Sequence, residues 1–265
     1  MPHILAHPHH HPHNHLLAAL PADVRQRLAA SLKLVHLPQG TVLQEGGQAP
    51  TKVYFPAGAI VSLSCQTAGG EGAEISQIGS EGLVGIAAFM ADDSGATVAI
   101  VQGAGYAYAL SGQRLRDEAG QHPALLMLLL RYTHGVLLQT AQTAVCNRHH
   151  SIDQQLCRWL LRFDDHRPGQ ILAVTHEQIA TRLGVRRENI TRATLKLHKL
   201  GAIHCGRSEI RVLDRRPLER LSCECYGAIR KAGERLLPMP ASPARWSGQP
   251  LTAATRLADR LEVRA

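Results

Sequence analysis

Residues 175–201 read THEQIATRLGVRRENITRATLKLHKLG, and the fold turns on how this stretch doubles back on itself. Thr175 and Gln178 have the spacing of a capping box, in which side chains and backbone at a helix start satisfy one another. Ile179, Ala180 and Leu183 then make an inward apolar face. Gly184 supplies a residue tolerant of left-handed backbone, and Val185 returns to the core. A second helix is expected from Arg187, with Ile190, Ala193, Leu197 and Leu200 inward. Arg187, Glu188, Arg192, Lys196 and Lys199 occupy its opposite side. A helix with an apolar back and a basic front, entered through a tight turn, suits the major groove of DNA. After Gly201, Ile203–Cys205 and Glu209–Leu213 read as a β-hairpin wing with Arg207 at its tip.

The chemistry assigns roles along this face. Arg187 and Arg192 carry guanidinium forks that match guanine edges, and Glu188 can accept from a cytosine amino group. Arg186, Thr191, Lys196, Lys199 and Arg207 are placed to meet phosphates, which add affinity without sequence choice. The competing reading of Glu188 and Arg192 is an ordinary surface pair four residues apart.

Working outward, Ser151 and Gln154 form another capping box, followed by Ile152, Leu156, Leu160 and Phe163 on one helical face. Before it, Pro123 opens a long helix running to about Cys146. Leu125, Leu129, Tyr132, Val136 and Gln139 mark its periodic face and are assigned to a dimer interface. From Gly40 to Ser111 the period shortens, and β-rich runs such as Ala59–Ser64, Glu74–Ile78 and Thr97–Val101 alternate with glycines. That pattern predicts a compact antiparallel β-barrel or jelly roll. Leu16–Leu34 has helical periodicity. The expected fold is therefore α+β: a histidine-rich disordered tail at 1–15, a β-roll at 16–120, a dimerisation helix at 121–147, a winged helix-turn-helix domain at 148–236 and a loosely ordered tail at 237–265.

Charge follows the same division. Residues 1–120 hold 6 Lys/Arg against 9 Asp/Glu, whereas residues 170–235 hold 14 against 7. Positive charge concentrated in one segment is what a polyanion-binding part requires. The apolar run Ala124–Leu130 is interrupted by Arg131, so no bilayer span or membrane partner is expected. The N-terminus lacks a secretory pattern, which predicts a cytoplasmic protein. Six scattered cysteines without CxxC spacing predict reduced thiols.

The segment Ile179–Arg192 resembles the helix-turn-helix of the Crp/Fnr family of bacterial transcription regulators, with its R-E-x-[VI]-x-R core. The resemblance covers roughly residues 16–235. It implies a cyclic-nucleotide-binding-like roll, a dimerisation helix and DNA-binding regulation by a homodimer at a near-palindrome, with RNA polymerase as a further partner. It also places base reading on Arg187, Glu188 and Arg192. Leu195 departs from the pattern, standing where many relatives carry a basic residue.

The nucleotide-pocket signature is degenerate. Gly85 matches, but Ile86 stands where a ribose-binding Glu is expected, and Thr97 closes the matching stretch. No Arg or Lys occurs from Val53 to Gln113, and Asp92 and Asp93 add negative charge. A cyclic phosphate would lack its cationic partner, so cyclic AMP in the usual mode is not expected. The effector is left open, and no cofactor is expected.

An iron–sulfur cluster on N-terminal cysteines is excluded, because the first cysteine is Cys65. Cys223 and Cys225 read as two nearby reduced thiols. A redox switch through Cys146 or Cys157 is left open, as is pH tuning of the hinge by His149 and His150. No metal site is assigned in the ordered region. The alternative function is zinc, nickel or copper binding by the histidine tail around His9–His11. Neither a nucleophile motif nor a phosphate-binding loop is present, so an enzyme is not expected.

Overall fold

The computed structural model describes residues 13–90 and 95–236. His9–His11, Asp92, Asp93 and the segment 237–265 lie outside them, with the expectations attached to them.

The chain enters through two short helices, α1 (His15–Ala18) and α2 (Ala22–Ala29). Seven strands follow: β1 (Lys33–Leu37), β2 (Val42–Gln44), β3 (Lys52–Ala57), β4 (Ile60–Gln66), β5 (Gly72–Ile78), β6 (Thr97–Gly103) and β7 (Gly105–Ser111). The short helix α3 (Ala87–Met90) lies between β5 and β6. The strands form two antiparallel sheets, ordered β1-β7-β3 and β2-β6-β4-β5. Val61, Leu63, Ile78, Ala99 and Val101 fill the roll interior. This is the jelly-roll-like half that the glycine-punctuated β pattern predicts.

Two boundaries differ from expectation at this end. Asn14 is 2% exposed: its side chain caps α1 by accepting from Leu17 N, and donates to Pro56 O and Gly82 O. The histidine-rich segment therefore joins the fold before residue 16. The periodic stretch Leu16–Leu34 is broken at Pro21 and ends in β1, because the β-branched and extended sequence Lys33–Leu37 pairs with β7.

Two helices then carry the chain away from the roll: α4 (Gly112–Gln121) and α5 (Pro123–His149). Here the structure corrects the interface assignment. Leu125 and Leu129 are each 1% exposed and Tyr132 is 4% exposed, all packed against the roll and N-terminal helices with Val136 beside them. Tyr132 also donates its hydroxyl to Leu83 O at 2.6 Å. Gln139 is half-buried and lines a cleft beside the roll. Leu125, Leu129 and Tyr132 are sealed in the chain's own core, while Val136 and Gln139 remain partly exposed. The periodicity identified the helix, but it selected the face that seals the chain's own core.

The adjoining face carries Leu126, Leu130 and Leu137, all exposed, with Met127 and Val145 flanking them. Positions 126, 130, 133, 137, 140 and 144 repeat at intervals of 4, 3, 4, 3 and 4, the seam of a coiled coil. By length and composition α5 also meets the requirement for a membrane span, with a mean hydropathy of 1.2 over 18 residues. The expectation that no stretch here is long and apolar enough is therefore not upheld, since the helix continues past Arg131. A helix apolar on both sides satisfies such a test without lipid when one side packs on its own domain.

The remaining chain builds the C-terminal half: α6 (Ile152–His166), β8 (Ile171–Ala173), α7 (His176–Leu183), α8 (Arg187–Lys199), β9 (Ile203–Cys205), β10 (Glu209–Val212), α9 (Arg215–Leu221) and α10 (Glu224–Leu236). Its sheet is ordered β8-β10-β9, so the predicted hairpin gains a third strand from Ile171–Ala173. Trp159, Leu160, Ile179, Leu183, Ile190 and Leu197 belong to one core here. α10 returns along α5 and was not anticipated as a helix.

Candidate nucleic-acid interface

Local sequence sets the reading helix in place. Both residues of the Thr175–Gln178 capping box make their reciprocal bonds, starting α7 on an exposed polar turn. Gly184 adopts φ 65° and ψ 37°, and its N–H donates to Thr181 O as the chain reverses. A β-carbon would strain this left-handed turn. Val185 packs on the core from the far side of the turn, and α8 begins two residues later with Arg186 as its cap.

Ile190, Ala193, Thr194 and Leu197 are the buried positions of α8. Leu200 is not among them. It is the C-cap residue, directly after Lys199, and stays 53% exposed. Arg187, Glu188, Thr191, Arg192, Leu195 and Lys199 lie exposed. On a 3.6-residue helix they share one broad face, with Leu195 near its middle.

The ionic partners sort the basic side chains into two sets. Arg215 is a structural residue, bonded to Asp164 at 2.6 Å, Asp165 at 2.7 Å and Tyr226 at 2.8 Å, tying α9 to α6 and α10. Those bonds hold its guanidinium above the ordinary arginine range, against burial that pulls it down. Arg182 faces Glu74, and Lys196 meets Asp153 at 2.6 Å. Among the described residues, Arg186, Arg187, Lys199 and Arg207 make no ion pair. Arg192 bonds Asn189 at 2.8 Å rather than Glu188, so the expected surface pair does not form. Exposed cations without ion pairs thus gather at the start of α8, at its end and at the wing tip. Arg187 and Arg207 line a common cleft of about 160 Å³ between them.

His176 braces this arrangement. It sits within hydrogen-bond distance of Thr191 Oγ1 through Nδ1 at 3.1 Å, and of Thr194 Oγ1 and Cys205 Sγ through Nε2 at 3.2 and 3.4 Å. Burial, with the charge of Arg187, lowers its pKa below the usual histidine value. The sequence reading had given this histidine no role.

The DNA-binding half also docks directly on the roll. Glu74 of β5 is buried, accepting from Trp159 Nε1 at 2.8 Å and Ser62 Oγ at 2.5 Å, with Arg182 Nη1 of α7 at 3.4 Å. Gln39 Nε2 donates to Ala173 O at 2.6 Å, and His166 pairs with Glu81 at 3.3 Å.

The positions matching the nucleotide-pocket signature are less distinctive. Gly85 takes φ +92° against the backbone of Lys52, Ile86 packs on the N-terminal core, and Thr97 faces Cys65 in the β4–β6 pair. A larger cleft of about 330 Å³ opens where the roll, α5, α6 and α10 meet. Gln77, Arg162, Asp165 and His166 line it, and each has a buried polar atom without a partner.

The cysteines also gather in a way that sequence spacing did not show. Cys146, Cys223 and Cys225 form a buried cluster with His150, 75 or more residues apart in part, at the junction of α5, α6 and α10. Cys157 lies apart in the core of the DNA-binding half, where burial pushes its thiol up to about 12.

Comparison with known proteins fits this geometry. Residues 154–221 match the family model described as a Crp-like helix-turn-helix domain. Comparison with characterised proteins by sequence gives no significant match. Among solved structures, FixK2 from Bradyrhizobium japonicum is 17% identical, with a TM-score of 0.60 over 72% of this chain and 98% of that one. The c-di-GMP-responsive global regulator CLP of Xanthomonas campestris is 19% identical, with a TM-score of 0.58 over 72% and 99%. A Crp/Fnr-family transcriptional regulator from Thermus thermophilus is 18% identical, with a TM-score of 0.58 over 72% and 98%. Residues 154–221 are thus a Crp-like helix-turn-helix domain, a DNA-binding module, and the chain around it shares the fold of these regulators.

Proposed function

We propose that the protein acts as a homodimer, joined along the Leu126–Leu130–Leu137 face of α5, that reads a near-palindromic site with one α8 in each of two successive major grooves. The observation that carries this reading is the gathering of Arg186, Arg187, Lys199 and Arg207, exposed and without ion pairs, along α8 and the wing, on a helix whose core face is fully buried. Arg187 and Arg192 read guanine edges, and Glu188 accepts from cytosine. Arg186, Thr191, Lys199 and Arg207 hold phosphates, and Lys196 joins them on release from Asp153. Leu195, central on the reading face, is suited to a thymine methyl group.

Control comes from the roll. Glu74 fixes the helix-turn-helix to β5, so a change in the roll alters the presentation of α8 by shifting that docking. The 330 Å³ cleft, rather than the surroundings of Gly85, Ile86 and Thr97, has the unpartnered polar groups that a small polar effector would satisfy. Cyclic AMP in the usual mode does not fit a roll that has no Lys or Arg from Val53 to Gln113. The role needs no catalytic residue, and its site of action is the cytoplasm.

Selection of binding sites from a random DNA pool by the purified homodimer, at near-physiological salt, tests the reading. A near-palindrome with half-sites about one helical turn apart supports it. Binding without sequence preference that vanishes on modest addition of salt overturns it.

A further inference from the structure

At the end of α5 four potential donor groups converge from two distant parts of the chain. Cys146 lies in the last turn of α5, His150 caps that helix, and Cys223 and Cys225 flank the first residue of α10. Their donor atoms all lie within 4.8 Å of one another. Cys146 Sγ is 3.5 Å from Cys223 Sγ, and Cys225 Sγ is 3.4 Å from His150 Nδ1.

We propose that Cys146, His150, Cys223 and Cys225 are the ligands of a single tetrahedral divalent metal ion, zinc being the best match, that pins α10 to the hinge between α5 and α6. The distances match one ion. Zn–S bonds of about 2.3 Å and Zn–N bonds of about 2.0–2.1 Å put the corners of a tetrahedron roughly 3.5–3.8 Å apart. A cluster of irons and sulfides between the thiolates would hold those corners farther apart. Three sulfurs and one imidazole form a soft set that selects zinc over magnesium or calcium.

The surroundings are those of a ligand set and not of three chance thiols. His150 presents Nδ1 to the sulfurs while its Nε2 meets Glu224 Oε1 at 3.2 Å, the carboxylate–histidine arrangement that orients a metal-bound imidazole. Gln142 Nε2 donates to Cys225 Sγ at 3.1 Å. Arg158, 5% exposed, has no ion pair among the described residues and leaves Nε unpartnered; its charge acts on Cys146. Three thiolates around a dication leave one net negative charge, which supplies the counterion this guanidinium lacks. A disulfide between Cys146 and Cys223 would use two of the four donors and give His150 and Cys225 no part. On binding, each thiol releases its proton to solvent, and no electron is transferred.

All four positions belong to protein, so the site is closed and structural in type. It rests on none of the DNA-binding argument. The histidine-rich N-terminus will also take up metal, so the readout must report sulfur ligation. The full-length chain, reduced and stripped of metal, is titrated with cobalt(II) and then zinc(II). The expected result is a thiolate-to-cobalt charge-transfer band with intense tetrahedral d–d absorption, saturating at one cobalt per chain and bleached by one zinc. Cys146→Ser and the pair Cys223→Ser with Cys225→Ser abolish these bands, while Cys65→Ser and Cys157→Ser leave them.

Should the serine variants fail to fold, His150→Cys offers a separate check: it keeps the site and strengthens the charge-transfer band through a fourth sulfur. Cobalt absorption without a thiolate band overturns the proposal by assigning the metal to imidazoles alone. Acid-labile sulfide in anaerobically purified protein, lost in the same variants, overturns it in favour of a cluster. A Cys146–Cys223 disulfide that persists until reduced, and whose thiols then take no metal, overturns it as well.

Discussion

The roll and the winged domain leave different groups unsatisfied. From Val53 to Gln113 the roll has no Lys or Arg, and buried amides such as Gln77 and Gln102 lack partners. In the winged domain Arg215 and Arg182 are matched by Asp164, Asp165 and Glu74, while Arg186, Arg187, Lys199 and Arg207 on α8 and the wing are left to solvent. Unpaired exposed cations cost little in water and gain on meeting a polyanion by releasing its counterions. Unpaired buried amides are costly until something hydrogen-bonds to them. The first pattern belongs to a nucleic-acid surface and the second to a site for a small molecule.

The sharpest way to break this contrast is to remove the free cations. Arg187→Ala with Arg192→Ala should weaken specific DNA binding by about 10²–10⁴-fold, each guanidinium being worth about 1–3 kcal/mol of discrimination. Fluorescence anisotropy on selected and scrambled duplexes measures it. An equal loss on both duplexes would demote these residues to phosphate contacts.

Next in size is the exposed seam of α5. Leu130→Glu with Leu137→Glu should give a monomer by sedimentation and lower affinity for a full site by about 10²–10³-fold, the loss of a tethered second half-site. Leu129→Glu, by contrast, should unfold the roll rather than split a dimer. A dimer that survives the first pair would place the interface elsewhere.

Glu74 joins the two regions. Glu74→Ala leaves Trp159 Nε1 and Arg182 without their acceptor, a cost of about 1–3 kcal/mol. Calorimetry should resolve two unfolding steps where the parent shows one coupled transition. A single unchanged transition would mean that the docking carries no coupling.

The smallest effect is at His176. Its pKa is lowered in the folded state, so the unfolded chain takes up the proton first as pH falls. Its stabilising contribution is complete above about 6.5 and is lost from there down toward the lowered value. His176→Gln should flatten that part of the stability–pH curve, measured as the difference between the two proteins by urea unfolding. An unchanged slope would show that the fold is indifferent to this proton.

The winged domain was legible because its signals are local. Two capping boxes, a glycine at the turn and apolar spacing all lie within a few residues of what they specify. The face of α5 was ambiguous because both sides are apolar, so periodicity located the helix but not the side owned by the roll. Leu200 fits the inward spacing but sits at the C-cap, where spacing does not decide burial. The gathering of Cys146 and His150 with Cys223 and Cys225 leaves no trace in spacing, since it depends on α10 returning to its start point. β1, β2 and β8 are too short for alternation to show.

That return has a mechanical consequence. The chain leaves α5 at His149, builds the whole reading domain, and comes back to lie along α5 as α10. The domain is therefore an excursion whose two roots share one anchorage, and it can swivel about that point but not drift from it. Lys196 of α8 reaches back to Asp153 beside those roots, so a tilt there is handed straight to the reading helix without stretching any linker.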